Sequence, residues 1–220
     1  MKKIIYLLLS FCSVISCNSQ SMNTRIISAA QDSTALYALR DSLGTLMLNG
    51  MTRNDTAMLK KAIKVSDELL KIDSNTKARC LLFENRTIMY MALGDGQKIL
   101  ENMKEQVKLS ENDEMTKLRY NYLYAISKHN KDSVDYSLYQ IDKFCDNQLK
   151  IKFNTFFACF KVQYMYYLKG KSEAKKLLKE LYNSNKGDYN LKMFLDEWDS
   201  VCEQYDMEKE RIYEIFGYHE

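Results

Sequence analysis

Ala62-Ile63-Lys64-Val65-Ser66-Asp67-Glu68-Leu69-Leu70-Lys71-Ile72-Asp73-Ser74-Asn75 is the stretch from which the fold of this chain can be read. Its apolar residues recur at helical spacing, and the run ends in a polar Asp-x-Asn turn. The same alternation of a helix and a short polar or glycine turn extends in both directions. The turns are Leu48-Asn49-Gly50, Leu93-Gly94-Asp95-Gly96, Lys128-His129-Asn130-Lys131-Asp132 and Leu168-Lys169-Gly170-Lys171. Gly94 and Asn130 are 36 residues apart, and Asn130 and Gly170 are 40 apart. Steps of this size fit helical hairpins, which cannot bury their apolar faces singly and therefore stack.

The spacing predicts helix pairs at 33–49 with 55–72, 76–93 with 96–110, 113–129 with 133–149, and 151–169 with 172–184. A closing helix over 189–205 keeps Leu191, Phe194, Leu195, Trp198, Val201, Cys202 and Tyr205 on one face and Asp196, Glu197, Asp199 and Glu203 on the other, as a terminal cap requires. Glu208 to Phe216 is expected to pack beside it through Ile212, Ile215 and Phe216. Ser33, Asp55, Asn112, Ser133 and Ser172 stand near helix starts, where short polar side chains accept from free N–H groups. Proline is absent and glycine occurs seven times in 220 residues, so helix breakers are scarce. The expected fold class is all-α, an α-solenoid of about four hairpin repeats with a C-terminal capping helix, filling residues 33–220.

The amino-terminal end reads differently. Met1-Lys2-Lys3 is followed by the apolar run Ile4 to Leu9 and by Val14-Ile15-Ser16-Cys17. A positive start, an apolar core too short for a ~30 Å bilayer interior and a small residue before a cysteine form a processing segment. It resembles a bacterial lipoprotein signal with its lipobox. The resemblance implies removal of residues 1–16, a diacylglyceryl group on the Cys17 thiol, and acylation of the new amino terminus. Residues 17–32 are then a lipidated start and a polar, aperiodic tether. Three acyl chains imply stable membrane attachment.

Without Lys2 and Lys3 the balance is 30 basic against 29 acidic residues. This near-neutrality, with no stretch of concentrated Lys and Arg, argues against a nucleic-acid partner. Cys12 leaves with the signal and Cys17 takes lipid, so Cys80, Cys145, Cys159 and Cys202 belong to the body. None is spaced as a metal knuckle. They read as small apolar core residues, with a Cys145–Cys159 bridge between neighbouring helices as the geometric alternative.

The 62–75 stretch resembles the second helix and following turn of a tetratricopeptide repeat, including the small residue Ala62 and the Asp73-Ser74-Asn75 turn, with Ser74 where that family usually has proline. Tyr166, Gly170-Lys171-Ser172-Glu173-Ala174, Leu178 and Leu181 look like the turn and second helix of another copy. The middle pairs keep the period but carry Ile99 and Tyr136 near places where a small residue is expected. The resemblance implies a scaffold whose first helices line a groove for a protein or peptide partner. Spacing from the turns puts Lys117, Tyr120 and Tyr124 on one such helix and Phe157, Phe160, Tyr164 and Tyr167 on the next, as an aromatic wall. The alternative assignment for these rings is the inter-repeat core, since a one-residue change of register exchanges the faces.

No constellation for catalysis is present. The chain lacks a phosphate-binding G-x-x-x-x-G-K-S/T, a G-x-S-x-G elbow and H-E-x-x-H. Its two histidines are His129 at a turn and His219 near the end. Asp196, Glu197 and Asp199 beside Trp198 fit a solvated helix face. The reading is therefore not an enzyme, with no catalytic residue, metal or cofactor. Asp-Ser/Thr-apolar tripeptides, with Ser33 and Thr56 the accessible acceptors, resemble the O-glycosylation motif of exported Bacteroidetes proteins. The expected function is a lipoprotein of the bacterial cell envelope, anchored in the outer membrane and facing the periplasm, that holds a protein or peptide partner. The alternative is an accessory protein of an uptake system, binding a glycan or nutrient on the aromatic wall.

Overall fold

A computed structural model describes residues 32–110 and 113–219 of the chain. The signal-like segment, Cys17 and nearly all of the tether lie outside the described residues. Among those described the fold is all-α, with ten helices. They are α1 (Asp32–Arg53), α2 (Thr56–Ile72), α3 (Thr76–Leu93), α4 (Gly96–Leu109) and α5 (Glu114–Ser127). They continue as α6 (Lys131–Ile151), α7 (Thr155–Lys169), α8 (Lys171–Ser184), α9 (Tyr189–Asp196) and α10 (Trp198–Phe216). The four expected pairs all form, as α1 with α2, α3 with α4, α5 with α6 and α7 with α8. No described helix is long and apolar enough to cross a membrane.

The chain divides into two compact units, with the boundary between Asn112 and Asp113. In the first, Leu43 of α1, Leu59, Ala62 and Leu69 of α2, and Leu82 and Met89 of α3 form the apolar core. The opening stretch contributes its apolar stripe as expected: Ala62, Ser66 and Leu69 are buried, whereas Lys64, Glu68 and Lys71 are exposed. Asp73 and Asn75 close the turn, and Asn75 accepts from the Ala78 N–H to start α3. In the second unit Ile126, Leu138, Ile141, Val162, Leu178 and Leu191 are fully or almost fully buried.

The turns differ in detail from the sequence reading. Gly50 does not end α1; the helix runs on to Arg53, and Asn54 makes the turn in left-handed backbone at φ 52°. Gly50 serves helix packing instead. A Cβ there would lie 2.8 Å from Leu59 Cδ2 and 3.1 Å from the Leu59 nitrogen, so its bare Cα is what lets α1 approach α2. Gly94 closes α3 at φ 75°, as a left-handed C-cap. Asp55 caps α2 as expected, accepting from the N–H groups of Ala57 and Met58. Elsewhere the cap falls one to three residues from the expected position: Asp113 caps α5, and Asn130 caps α6 by accepting from the Ser133 N–H. At α6 the Asn130 oxygen takes the place expected of Ser133 because it reaches the third N–H from one residue before the helix. Ser172 lies inside the first turn of α8, which starts at Lys171 after Gly170 without a side-chain cap.

The expected closing helix is broken. Glu197, at φ −108° and ψ 25°, leaves helical geometry and separates α9 from α10. The break redirects the chain: α9 packs on α8 and α7, whereas α10 turns onto α5 and α7. Asp196, Glu197, Asp199 and Glu203 are exposed, which leaves the polar outer face as predicted.

Candidate binding face of the second unit

The face is built by α5, α7 and α10. At its start α10 lies near the C-terminal end of α7, with Trp198 and Tyr205 against Tyr166 at ring separations of 6.5 and 5.4 Å. Midway, Tyr205 meets Tyr167 edge-on at 6.1 Å, and Glu208 accepts from Gln163 Nε2 at 2.8 Å. After α10 ends at Gly217, Tyr218 is buried and stacks on His129, in the turn between α5 and α6, at 6.1 Å. The C-terminal helix thus crosses from the end of α7 to the end of α5.

The apolar stripe of α10 is Val201, Tyr205 and Ile212, and Glu208 interrupts it at helical spacing. Burial pushes the Glu208 carboxyl up to about 7, opposed by the Arg119 guanidinium and by hydrogen bonds from Gln163 and Tyr167. The Tyr164 and Tyr167 hydroxyls are likewise raised by burial, with Arg119 acting against the rise at Tyr164. This is a polar cluster inside an aromatic shell, in which Tyr122 also meets Tyr164 edge-on at 6.1 Å.

The seven residues read as one aromatic wall separate into three groups. Tyr164 and Tyr167 are buried, with Tyr167 directly against α10. Phe157 is half-buried and packs on Phe144 of α6 at 5.8 Å, so it belongs to the α6–α7 interface; Phe160 stacks between Phe156 and Tyr164 beneath the Arg119 guanidinium. Lys117, Tyr120 and Tyr124 remain together on α5, away from that stack. Tyr120 and Tyr124 stack at 5.9 Å, Tyr124 is 44% exposed, and Lys128 Nζ lies 5.1 Å from the Tyr124 ring centre. The register explains the separation: α5 turns Arg119 and Tyr122 toward α7, and Tyr120 lies about 100° further round the helix than Arg119.

Arg119, Tyr122, Gln163 and Glu208 are the residues of this face that spacing from the turns did not select. The signal for Glu208 was an acid at i+3 from Tyr205 and i−4 from Ile212, within an apolar stripe. On the far side of α7, Lys161 is buried and pairs with Asp146 and, at 3.8 Å, with Asp142 of α6. That pairing explains a charged residue in the core. Cys145, Cys159 and Cys202 are free thiols, so the bridge considered between Cys145 and Cys159 is not formed. Burial raises both of those thiols to about 12, leaving them protonated and poor nucleophiles at neutral pH. Among the described residues no group of three or more His, Cys, Asp and Glu is arranged to hold a metal ion. No family model, no curated protein and no solved structure matches this chain.

Proposed function

We propose that this chain is a lipid-anchored envelope protein whose hairpin-repeat body holds a protein partner through the second unit. The observation that carries the binding reading is the Tyr120–Tyr124 stack, with Lys128 over the Tyr124 ring, left accessible on α5. Stacked tyrosines offer a large, rigid contact area at low entropic cost, and the flanking Lys128 favours a partner segment that carries carboxylates beside apolar side chains.

A shared burial register supports the repeat reading. Counting four residues from Asp55, Asp95, Asn130 and Gly170 reaches Leu59, Ile99, Val134 and Ala174, each 2% exposed or less. In α6 the small buried residue is Ser137, with Tyr136 turned outward at 64% exposure, which brings that pair nearer the tetratricopeptide pattern than its sequence alone did. The anchor rests on the signal layout and Cys17, and its site is the outer membrane on the periplasmic side.

The test is chemical crosslinking in native cells followed by affinity capture of the full-length protein and of Tyr120→Ala/Tyr124→Ala. Both side chains lie at or near the surface, so this variant keeps the core that Tyr164→Ala would damage. One protein present with the native chain and lost from the variant is the expected result. No specific protein in either sample removes the scaffold reading. A Cys17→Ala chain is expected in the soluble fraction, and unchanged membrane partition removes the anchor.

A further inference from the structure

The way α10 is held on the second unit describes a ligand. An interior element of a fold ordinarily leaves few polar groups buried without full compensation, because each costs free energy. Yet α10 carries one such group and one buried carboxyl at its contact face. The Trp198 indole N–H is buried without a hydrogen-bond acceptor. The Glu208 carboxyl is buried against Gln163, Tyr167 and Arg119. The first turn is held from outside by an exposed ion pair, Lys171 to Asp199 at 2.8 Å, of the kind that salt weakens. No side chain caps the helix start at Glu197, where the backbone already bends. Contacts of α10 with α5 and α7 are also sparser than those α6 makes with the same two helices. Each of these groups regains solvent or freedom on release.

We infer that the α5–α7 face is an exchange site for an amphipathic helix, occupied in this chain by its own α10, which a partner helix of the same pattern displaces. The occupant is defined by what the face already accepts. It is a helix bearing an aromatic residue three positions before a carboxylate and a branched apolar residue four positions after it, as Tyr205, Glu208 and Ile212 do. The carboxylate supplies the specificity. The groups that face it are Arg119 from α5 and Gln163, Tyr164 and Tyr167 from α7, with Tyr205 beside it on α10. One guanidinium and one amide aimed into an aromatic shell select an acid and reject a lysine at that point. This inference rests on the reading of the body as a partner-binding scaffold but concerns a different surface from the Tyr120–Tyr124 strip.

The experiment uses the full chain and an isotope-labelled peptide of residues 198–216, tagged with a fluorophore. Anisotropy titration is expected to show saturable binding, with the Glu208→Lys peptide weaker by roughly tenfold or more. Hydrogen exchange read by mass spectrometry, with peptide fragments separated by their label, is expected to show α10 of the chain losing protection as the peptide binds while α5 and α7 keep theirs. Absence of saturable binding, or binding that leaves α10 as protected as before, overturns the inference. So does loss of α10 protection only in step with α5, α6 and α7, which makes α10 an integral part of the fold. Peptide exchange without a captured protein from cells leaves the exchange site standing and removes the partner reading; a captured protein without peptide exchange does the reverse.

Discussion

One buried and one partly buried polar residue show how single side chains set behaviour. Glu208 has its carboxyl raised from 4.5 to about 7 in the folded chain, chiefly by burial. The folded state therefore keeps a proton that the unfolded state has lost between those two values, so this residue's contribution is full below about pH 4.5 and is lost as pH rises through about 7. Its size is about 3 kcal/mol. Glu208→Gln keeps the shape and is expected to flatten the fall in stability from pH 5 to pH 7.5, measured by urea unfolding; an unchanged slope contradicts the assignment. In the first unit Arg86 is the matching hub. Its guanidinium donates to Asn102 Oδ1 at 2.9 Å, Ser66 Oγ at 3.3 Å, Tyr90 OH at 3.1 Å, and Asp67, joining α2, α3 and α4. Asn102 in turn donates to the Phe83 carbonyl and to Thr87. Arg86→Met is expected to cost about 2–4 kcal/mol in the same assay, because the partners stay behind without their donor. Neither hub was read from the sequence: each charge stands at helical spacing among apolar residues, and only the packing of a third helix reveals which groups enclose it.

At the scale of helices, the sequence was most informative where a glycine or Asx residue enforces a turn. Gly94, Asn130 and Gly170 mark real boundaries, and three of the four pairs follow from them. Gly50 misled because glycine has two uses. There it permits close approach and not a turn, and one sequence does not distinguish the two. Gly50→Ala gains helix propensity of about 1 kcal/mol. Its new methyl, however, meets Leu59, which is 1% exposed and has no room to retreat. The expected net effect is destabilisation by about 1–3 kcal/mol, visible as a lower thermal midpoint; a raised midpoint means that α1 and α2 slide apart freely. The break at Glu197 was hidden for a different reason. Leu191 and Trp198 are seven residues apart and share a face in a straight helix, so periodicity runs through the bend without a signal. What bends the chain is the burial of Trp198 and Tyr205 against α7, a tertiary effect.

For the molecule as a whole, helix pairing and the all-α class were written in composition and period, whereas the candidate face was only half written. Aromatic residues pointed to α5 and α7 as the candidate face. Their division into core rings, rings beneath α10 and an accessible strip depended on register, which spacing from a turn fixes only to within a residue or so. In the proposed reading an anchor concentrates the body at the envelope; the second unit exposes the Tyr120–Tyr124 strip, and its α5–α7 face holds a helix. The most direct test of the binding claim places a photocrosslinking amino acid at Tyr124 in the full chain in native cells, and in a parallel strain at Tyr139, a comparably exposed tyrosine on α6. The account predicts one protein adduct of defined mass from position 124 and none from position 139. Equal adducts from both positions, or none from 124, would contradict it.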